Sequence, residues 1–150
     1  MSSRSRSISF LAAVLIMASP SPATAQQGAS AKQVIMPAGA TPSATLSPGV
    51  RVGDLLFVSG QLGGRDSTIQ GQTRQALENV KGVVEAAGAT MSNVAKCTVF
   101  LVDVRDFAGM NQAYTQFFPK EPPARSTVAV AALVRPEAKV EIECIAAIPR

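Results

Sequence analysis

The sequence predicts an α+β domain, a mixed β-sheet with two helices on one face, in the order β-β-α-β-α-β-β. Two segments, near residues 69–87 and 107–118, carry apolar residues at three- and four-residue spacing, the mark of amphipathic helices. Apolar, β-branched runs flank them at 50–60, 94–104, 125–132 and 139–148. The pattern is not a regular βαβα alternation, which argues against a doubly wound parallel sheet. Two helices cover one sheet face only. The strands are too apolar for the other face to stand in water, so association with further copies is expected.

Taken in order, Met1 to Ala25 reads as a secretory signal peptide, and so as a chain exported to the periplasm or secreted. Arg4 and Arg6 give a basic start, Ile8 to Ala18 an apolar run, and Ala23-Thr24-Ala25 a small-residue cleavage site. The run is shorter than the roughly 20 residues a membrane span needs, so no membrane association is expected once the leader is removed. Residues 26–47, rich in Ala, Ser, Pro, Gly and Thr, read as a flexible lead-in with one short strand near Val34 to Met36. The domain proper is expected over 48–150. Val50 to Val52 and Leu55 to Gly60 form strands joined by a tight turn at Gly53-Asp54. The second is apolar enough to be buried on both faces. Gly63-Gly64-Arg65-Asp66 is a plain loop, since no Gly-Lys-Ser/Thr follows to make a phosphate cradle.

Ser67 and Gln70 have capping-box spacing at the start of the first helix. Its buried stripe is Ile69, Thr73, Ala76, Leu77, Val80, Val83, Val84 and Ala87. Arg74, Gln75, Glu78, Lys81 and Glu85 face water, and Gly88 suits a left-handed terminus. A long strand follows from Val94. Asp103 or Asp106 caps a second helix, Phe107 to Phe118, with Phe107, Met110, Tyr114 and Phe117 or Phe118 on its stripe. Prolines at 119, 122 and 123 end it. Two strands joined by Arg135-Pro136-Glu137-Ala138 close the chain.

Composition excludes several chemistries. The chain has no histidine, which removes Ser-His-Asp and Cys-His nucleophiles and histidine-based zinc sites. Losing Arg4 and Arg6 with the leader lowers the net charge from +4 to +2, and no basic run is interleaved with aromatics, so no nucleic-acid partner is expected. Cys97 and Cys144 have two readings, a disulfide in an exported protein or two small buried apolar residues.

The chemistry-bearing residues gather in the last third. Arg125 opens an apolar strand, where a guanidinium needs an anionic partner. That partner is either a substrate carboxylate or a structural one, Glu141, Glu143 or Asp103. Glu141 and Glu143 share one face of the last strand, opposite Val140, Ile142 and Cys144. They are either an exposed rim or a carboxylate beside a ligand, able to orient water. Asn111 lies among apolar residues of the second helix, bonded to a loop or exposed. Tyr114 sits on the core stripe. Gly60 ends an apolar strand, where a missing side chain lets a ligand or another backbone come close.

These residues together resemble the RidA/YjgF family of imine deaminases, from about Pro48 to Ile148. The matching segments begin with Gly53-Asp54-Leu55-Leu56-Phe57-Val58-Ser59-Gly60-Gln61, Gln75-Ala76-Leu77-Glu78-Asn79-Val80 and Glu85-Ala86-Ala87-Gly88. Val99-Phe100 with Asp103, Asp106-Phe107-Ala108, Asn111, Tyr114 and Phe117-Phe118 follow. Pro123-Ala124-Arg125-Ser126 and Val140-Glu141-Ile142-Glu143 complete the set. The resemblance implies a chorismate-mutase-like fold and a homotrimer with three clefts between subunits. It implies hydrolysis of a small carboxylate-bearing 2-imino acid, or its enamine tautomer, to a 2-oxo acid and ammonia, as in a 2-iminobutanoate/2-iminopropanoate deaminase. Arg125 matches the arginine that holds the substrate carboxylate, Glu141 the glutamate that positions water, and Gly60 and Asn111 cleft-lining positions. Thr127 stands where many members have a cleft cysteine, and contributes its hydroxyl or only its backbone. No metal, histidine or cofactor is required. Leu46 falls in the stretch where active members often carry a tyrosine, and the loop after Gln61 is shorter than usual. The rival readings are a non-catalytic carboxylate binder and a chaperone-like trimer of the same fold.

Overall fold

The computed structural model describes residues 31–149. The expected leader and its cleavage site lie outside the described residues. The elements are β1 (Gln33–Ile35), β2 (Gly49–Val52), β3 (Leu55–Leu62), α1 (Ile69–Ala86), β4 (Val94–Leu101), α2 (Phe107–Tyr114), β5 (Ala124–Ala129) and β6 (Val140–Ala147). They form one six-stranded sheet in the order β1-β2-β3-β6-β4-β5. Every pairing is antiparallel except β4 with β5, which α2 connects. The mixed sheet and two helices are as expected.

Within the stretch read as a flexible lead-in, the short strand is a full sheet member. Gln33, Val34 and Ile35 pair with Arg51, Val50 and Gly49, and Ile35 is buried. β1 therefore precedes the two strands that opened the expected order. The Gly53 turn has φ +61° and Gly88 φ +80°, both in the left-handed region that favours glycine.

The α1 cap is one residue later than the capping-box spacing suggested. Thr68, not Ser67, accepts the Gly71 backbone N–H at 3.0 Å. Asp66 accepts from both the backbone N–H and the hydroxyl of Thr68, which fixes the turn ahead of the helix. The expected α1 stripe is buried from Ile69 to Val84. α2 is shorter than expected. Its helix ends at Tyr114, and Phe117 N–H bonds the Tyr114 carbonyl in a tighter final turn. Phe118 still packs on Tyr114, with ring centres 4.8 Å apart. Asp103 caps a short 3-10 turn ahead of α2, accepting from the Arg105 N–H.

Both helices lie on one sheet face, over Leu56, Val58, Cys97, Val99, Leu101, Val140, Ile142, Cys144 and Ala146. Period-2 alternation sends the other side chains to the opposite face. There Leu55 and Phe57 are 46% and 43% exposed, so β3 is buried on one face of the protomer rather than both. Cys97 and Cys144 are directly opposite each other on β4 and β6 and form a disulfide. Both are buried on the helix side, so the bridge is also part of the core.

Candidate active site

The predicted site residues fall into two groups on opposite faces of the sheet. Arg125 lies beside Cys97 in the β4–β5 register, and Thr127 beside Val99. Cys97 and Val99 are core residues of the helix face, so Arg125 and Thr127 share that face at the sheet edge. α2 runs past them with Phe107, Met110, Asn111 and Tyr114 at spacings that place all four on one side of the helix. The Arg125 guanidinium carbon sits 4.6 Å from the Tyr114 ring centre and 5.8 Å from that of Phe107. Its Nη1 lies 3.9 Å from the Met110 sulfur, a weak acceptor.

Among the described residues Arg125 has no carboxylate partner. Asp103 is engaged by Arg105, in an ion pair at 2.5 Å. Glu141 and Glu143 are on the other face of the sheet. The structural ion pair that the sequence left open is therefore not formed. Aromatic faces hold the guanidinium and leave its planar fork free for an incoming anion. Two further polar groups in this region are unsatisfied: the Tyr114 hydroxyl and Thr127 Oγ1 are buried without a hydrogen-bond partner. Burial pushes the Tyr114 phenol up to about 12, against the lowering effect of the Arg125 charge, so it is a neutral hydroxyl at ordinary pH. Asn111 is half-buried, and its side chain makes no hydrogen bond among the described residues.

The second group lies on the open face. Glu141 is in register with Leu62 of β3 and Phe100 of β4. Facing it, β3 shifts register between Val58 and Gln61, and Gly60 sits inside that irregularity. A Cβ at Gly60 would meet the Glu141 carboxylate, so the two residues approach closely across the strands. Ser59 fastens the preceding segment here. Its Oγ donates to the Ser47 carbonyl at 2.7 Å, and its N–H bonds the Pro48 carbonyl. This holds Leu46, 55% exposed, next to the anchored Ser47.

Within one protomer the structure thus sets Arg125 and Thr127 on one sheet face beside the side of α2 that carries Asn111, and Gly60 with Glu141, but does not bring the two groups together. β4 separates their strands, and they point to opposite faces. Sequence reasoning placed Tyr114 and Phe107 in the core stripe and missed their contact with Arg125. The signal was their seven-residue separation, two helical turns, on the helix preceding the arginine strand. Among the described residues no group of three or more His, Cys, Asp or Glu side chains is placed to hold a metal ion.

A family model described as Endoribonuclease L-PSP matches residues 36–148, spanning every element from β2 to β6. The chain belongs to the YjgF/RutC/RidA family. Among its relatives in this family, a RutC family protein of Pyrococcus horikoshii is 40% identical over 123 residues, 77% of this chain and 97% of that one. Reactive Intermediate Deaminase A of Arabidopsis thaliana, a chloroplastic protein, is 39% identical over 142 residues, 87% of this chain and 75% of that one. The crystal structure of Escherichia coli TdcF with bound serine superposes with a TM-score of 0.69 at 38% identity, covering 78% of this chain and 99% of that one. The α+β architecture is therefore that of the YjgF/RutC/RidA family, and both groups of residues lie inside the matched region.

Proposed function

We propose that this chain is an imine deaminase, hydrolysing 2-imino acids and their enamine tautomers to 2-oxo acids and ammonia. The observation that carries the reading is Arg125, held against Tyr114 and Phe107 with no carboxylate of its own. A relative named Reactive Intermediate Deaminase A supports it, as does the serine in TdcF, a small molecule with an α-carboxylate. Arg125 binds the substrate carboxylate and orients the imine carbon. Glu141 takes a proton from water as its oxygen attacks that carbon. Glu141 returns that proton to the nitrogen, and the hydroxyl proton of the resulting carbinolamine follows as the C–N bond breaks, giving the 2-oxo acid and ammonia. Asn111, Thr127 and the Gly60 backbone line the same cleft.

Because Arg125 and Glu141 face opposite ways in one protomer, the complete cleft is assigned to the junction of two copies in a homotrimer. One copy supplies Arg125, Asn111 and Thr127, the other Gly60 and Glu141. The exposed apolar side chains Leu55 and Phe57 on the Glu141 face support this association. We also propose export. The N-terminal leader pattern supports it, as does a buried disulfide, which persists best in an oxidising compartment. A nucleic-acid role is not proposed, because the site offers one arginine beside apolar and aromatic groups rather than a basic track.

The test is release of ammonia or 2-oxo acid from 2-iminopropanoate or 2-iminobutanoate generated in situ. Acceleration over buffer that is lost in Arg125→Ala is expected. No acceleration, or full activity in that variant, sinks the reading. Leu46, which lacks the hydroxyl many active relatives carry in that stretch, favours a second reading, a carboxylate binder without turnover. A carboxylate that raises Tm while no imine is hydrolysed supports that alternative.

A further inference from the structure

Next to Arg125 lies a cavity of about 250 Å³ lined by Leu101, Val104, Phe107, Thr127, Val128 and Ala129. It shares two residues with the surroundings of Arg125. Phe107 is at once a wall of the cavity and a surface beneath the guanidinium, and Thr127 is the next residue on Arg125's face of β5. The lining contains no ionisable side chain. The cavity on the open face instead includes Lys96 and Glu143, and the one beside the Arg105–Asp103 pair includes Asp106, Glu137 and Lys139. Val104 and Phe107 remain 69% and 42% exposed, so apolar surface is left at the mouth with nothing from this protomer upon it.

We propose that this cavity is a side-chain subsite that selects 2-imino and 2-oxo acids with branched aliphatic or aromatic side chains. The inference rests on the imine-deaminase reading of the same site and adds the class of substrate. A ligand whose carboxylate is on the Arg125 fork has its C2 substituent within reach of the neighbouring cavity. An apolar substituent there covers Val104 and Phe107, whereas a charged one is desolvated without a partner. The volume is sufficient, since a dry apolar cavity of about 150 Å³ accommodates a benzene ring. Each methylene buried in such a site raises affinity about fourfold.

Binding of 2-oxo acids tests this without depending on turnover. Calorimetry with the full chain compares pyruvate, 4-methyl-2-oxopentanoate, phenylpyruvate and oxaloacetate. The two large apolar ligands are expected to bind at least about tenfold tighter than pyruvate, and oxaloacetate more weakly than either. Arg125→Ala should weaken all of them. Val104→Asp, at an exposed position, should bring the ratio of 4-methyl-2-oxopentanoate to pyruvate affinity close to one. Pyruvate binding as tightly as the larger ligands, an unchanged ratio in Val104→Asp, or no binding by any of the four overturns the subsite. Retained preference without hydrolysis of any imine removes the deaminase reading and leaves the subsite standing. Hydrolysis of 2-iminopropanoate without any preference removes the subsite alone.

Discussion

The two ends of the helix-covered sheet face treat buried polar groups in opposite ways. Under the start of α1, Gln72 is 1% exposed and fully used. Its Nε2 donates to the Asp66 and Glu137 carbonyls, and its Oε1 accepts the Lys139 N–H at 2.7 Å. Thr73 donates to the Ile69 carbonyl at 2.7 Å. At the β5–α2 edge, Arg125 has only two aromatic rings and a thioether, and the hydroxyls of Tyr114 and Thr127 have no partner. Buried polar groups in folded proteins are overwhelmingly paired. The closed end uses its polar atoms within the fold, and the open end leaves them without partners among the described residues.

Substitutions at the closed end should therefore change stability, and those at the open end should change ligand chemistry. The largest stability effect belongs to the Cys97–Cys144 bridge, whose cysteines are 47 residues apart. Cys97→Ala with Cys144→Ala should cost about 4 kcal/mol of unfolding free energy, on the chain-entropy account. Denaturant unfolding under oxidising and reducing conditions measures it, and a reductant-insensitive midpoint counts against the bridge. Arg125→Ala should lower kcat/KM for imine hydrolysis roughly 10²–10³-fold. It should cost about 1 kcal/mol or less in stability, because only a cation–π contact is lost. Gln72→Ala should reverse that balance. It strands the Lys139 N–H and two carbonyls, at a cost of about 3 kcal/mol. If Arg125→Ala proves as destabilising as Gln72→Ala, the distinction between the two ends fails.

How much of this the sequence made legible follows from the range of each interaction. The α1 stripe and the turns at Gly53 and Gly88 are local and were read from spacing and glycine chemistry. The α1 cap shifted by one residue because Asp66 organises the turn, a preference that capping-box spacing does not contain. Arg125 stood out as a charge in an apolar strand, yet its two readings were separated only when Asp103 proved engaged by Arg105 and Glu141 lay on the other face. Strand order is the missing quantity. Placing β6 between β3 and β4 sets Cys144 opposite Cys97 and Glu141 beside Gly60, and neither adjacency is encoded in local pattern. Alternation within β6 correctly separated Glu141 and Glu143 from Ile142. It cannot say how the face of one strand relates to that of another two strands away.

Tyr114 sharpens the comparison spectroscopically. It is the only tyrosine and the chain has no tryptophan, so phenolate absorbance reports this residue alone. Its hydroxyl is pushed up to about 12, by burial first, with the Arg125 charge acting in the lowering direction. A group whose folded value is raised contributes stability that is fully present below its unfolded value, about 10, and is lost as pH rises through about 12. An alkaline titration should show the folded phenol ionising near 12, and Arg125→Ala should move it higher still. A downward shift in that variant would mean that the charge is not the neighbour it is taken to be.

The smallest effect is the most discriminating, because one substitution is made at both ends. Thr73 is fully buried with its hydroxyl bonded to Ile69, so Thr73→Val exchanges a hydrogen bond for a methyl group and should destabilise by about 1 kcal/mol. The Thr127 hydroxyl is buried without a partner, so Thr127→Val removes an unpaid desolvation penalty and should stabilise the free protein by about 1 kcal/mol. Opposite signs in denaturant unfolding establish that the two ends differ in polar satisfaction and not merely in packing. Calorimetry on the same Thr127→Val protein then reports what the hydroxyl is for. If 2-oxo acid affinity falls while stability rises, the hydroxyl is kept for the ligand. If affinity is unchanged, the Thr127 hydroxyl is not used by the ligand, and Arg125, Asn111 and the Tyr114 hydroxyl remain as the polar side-chain groups on that side.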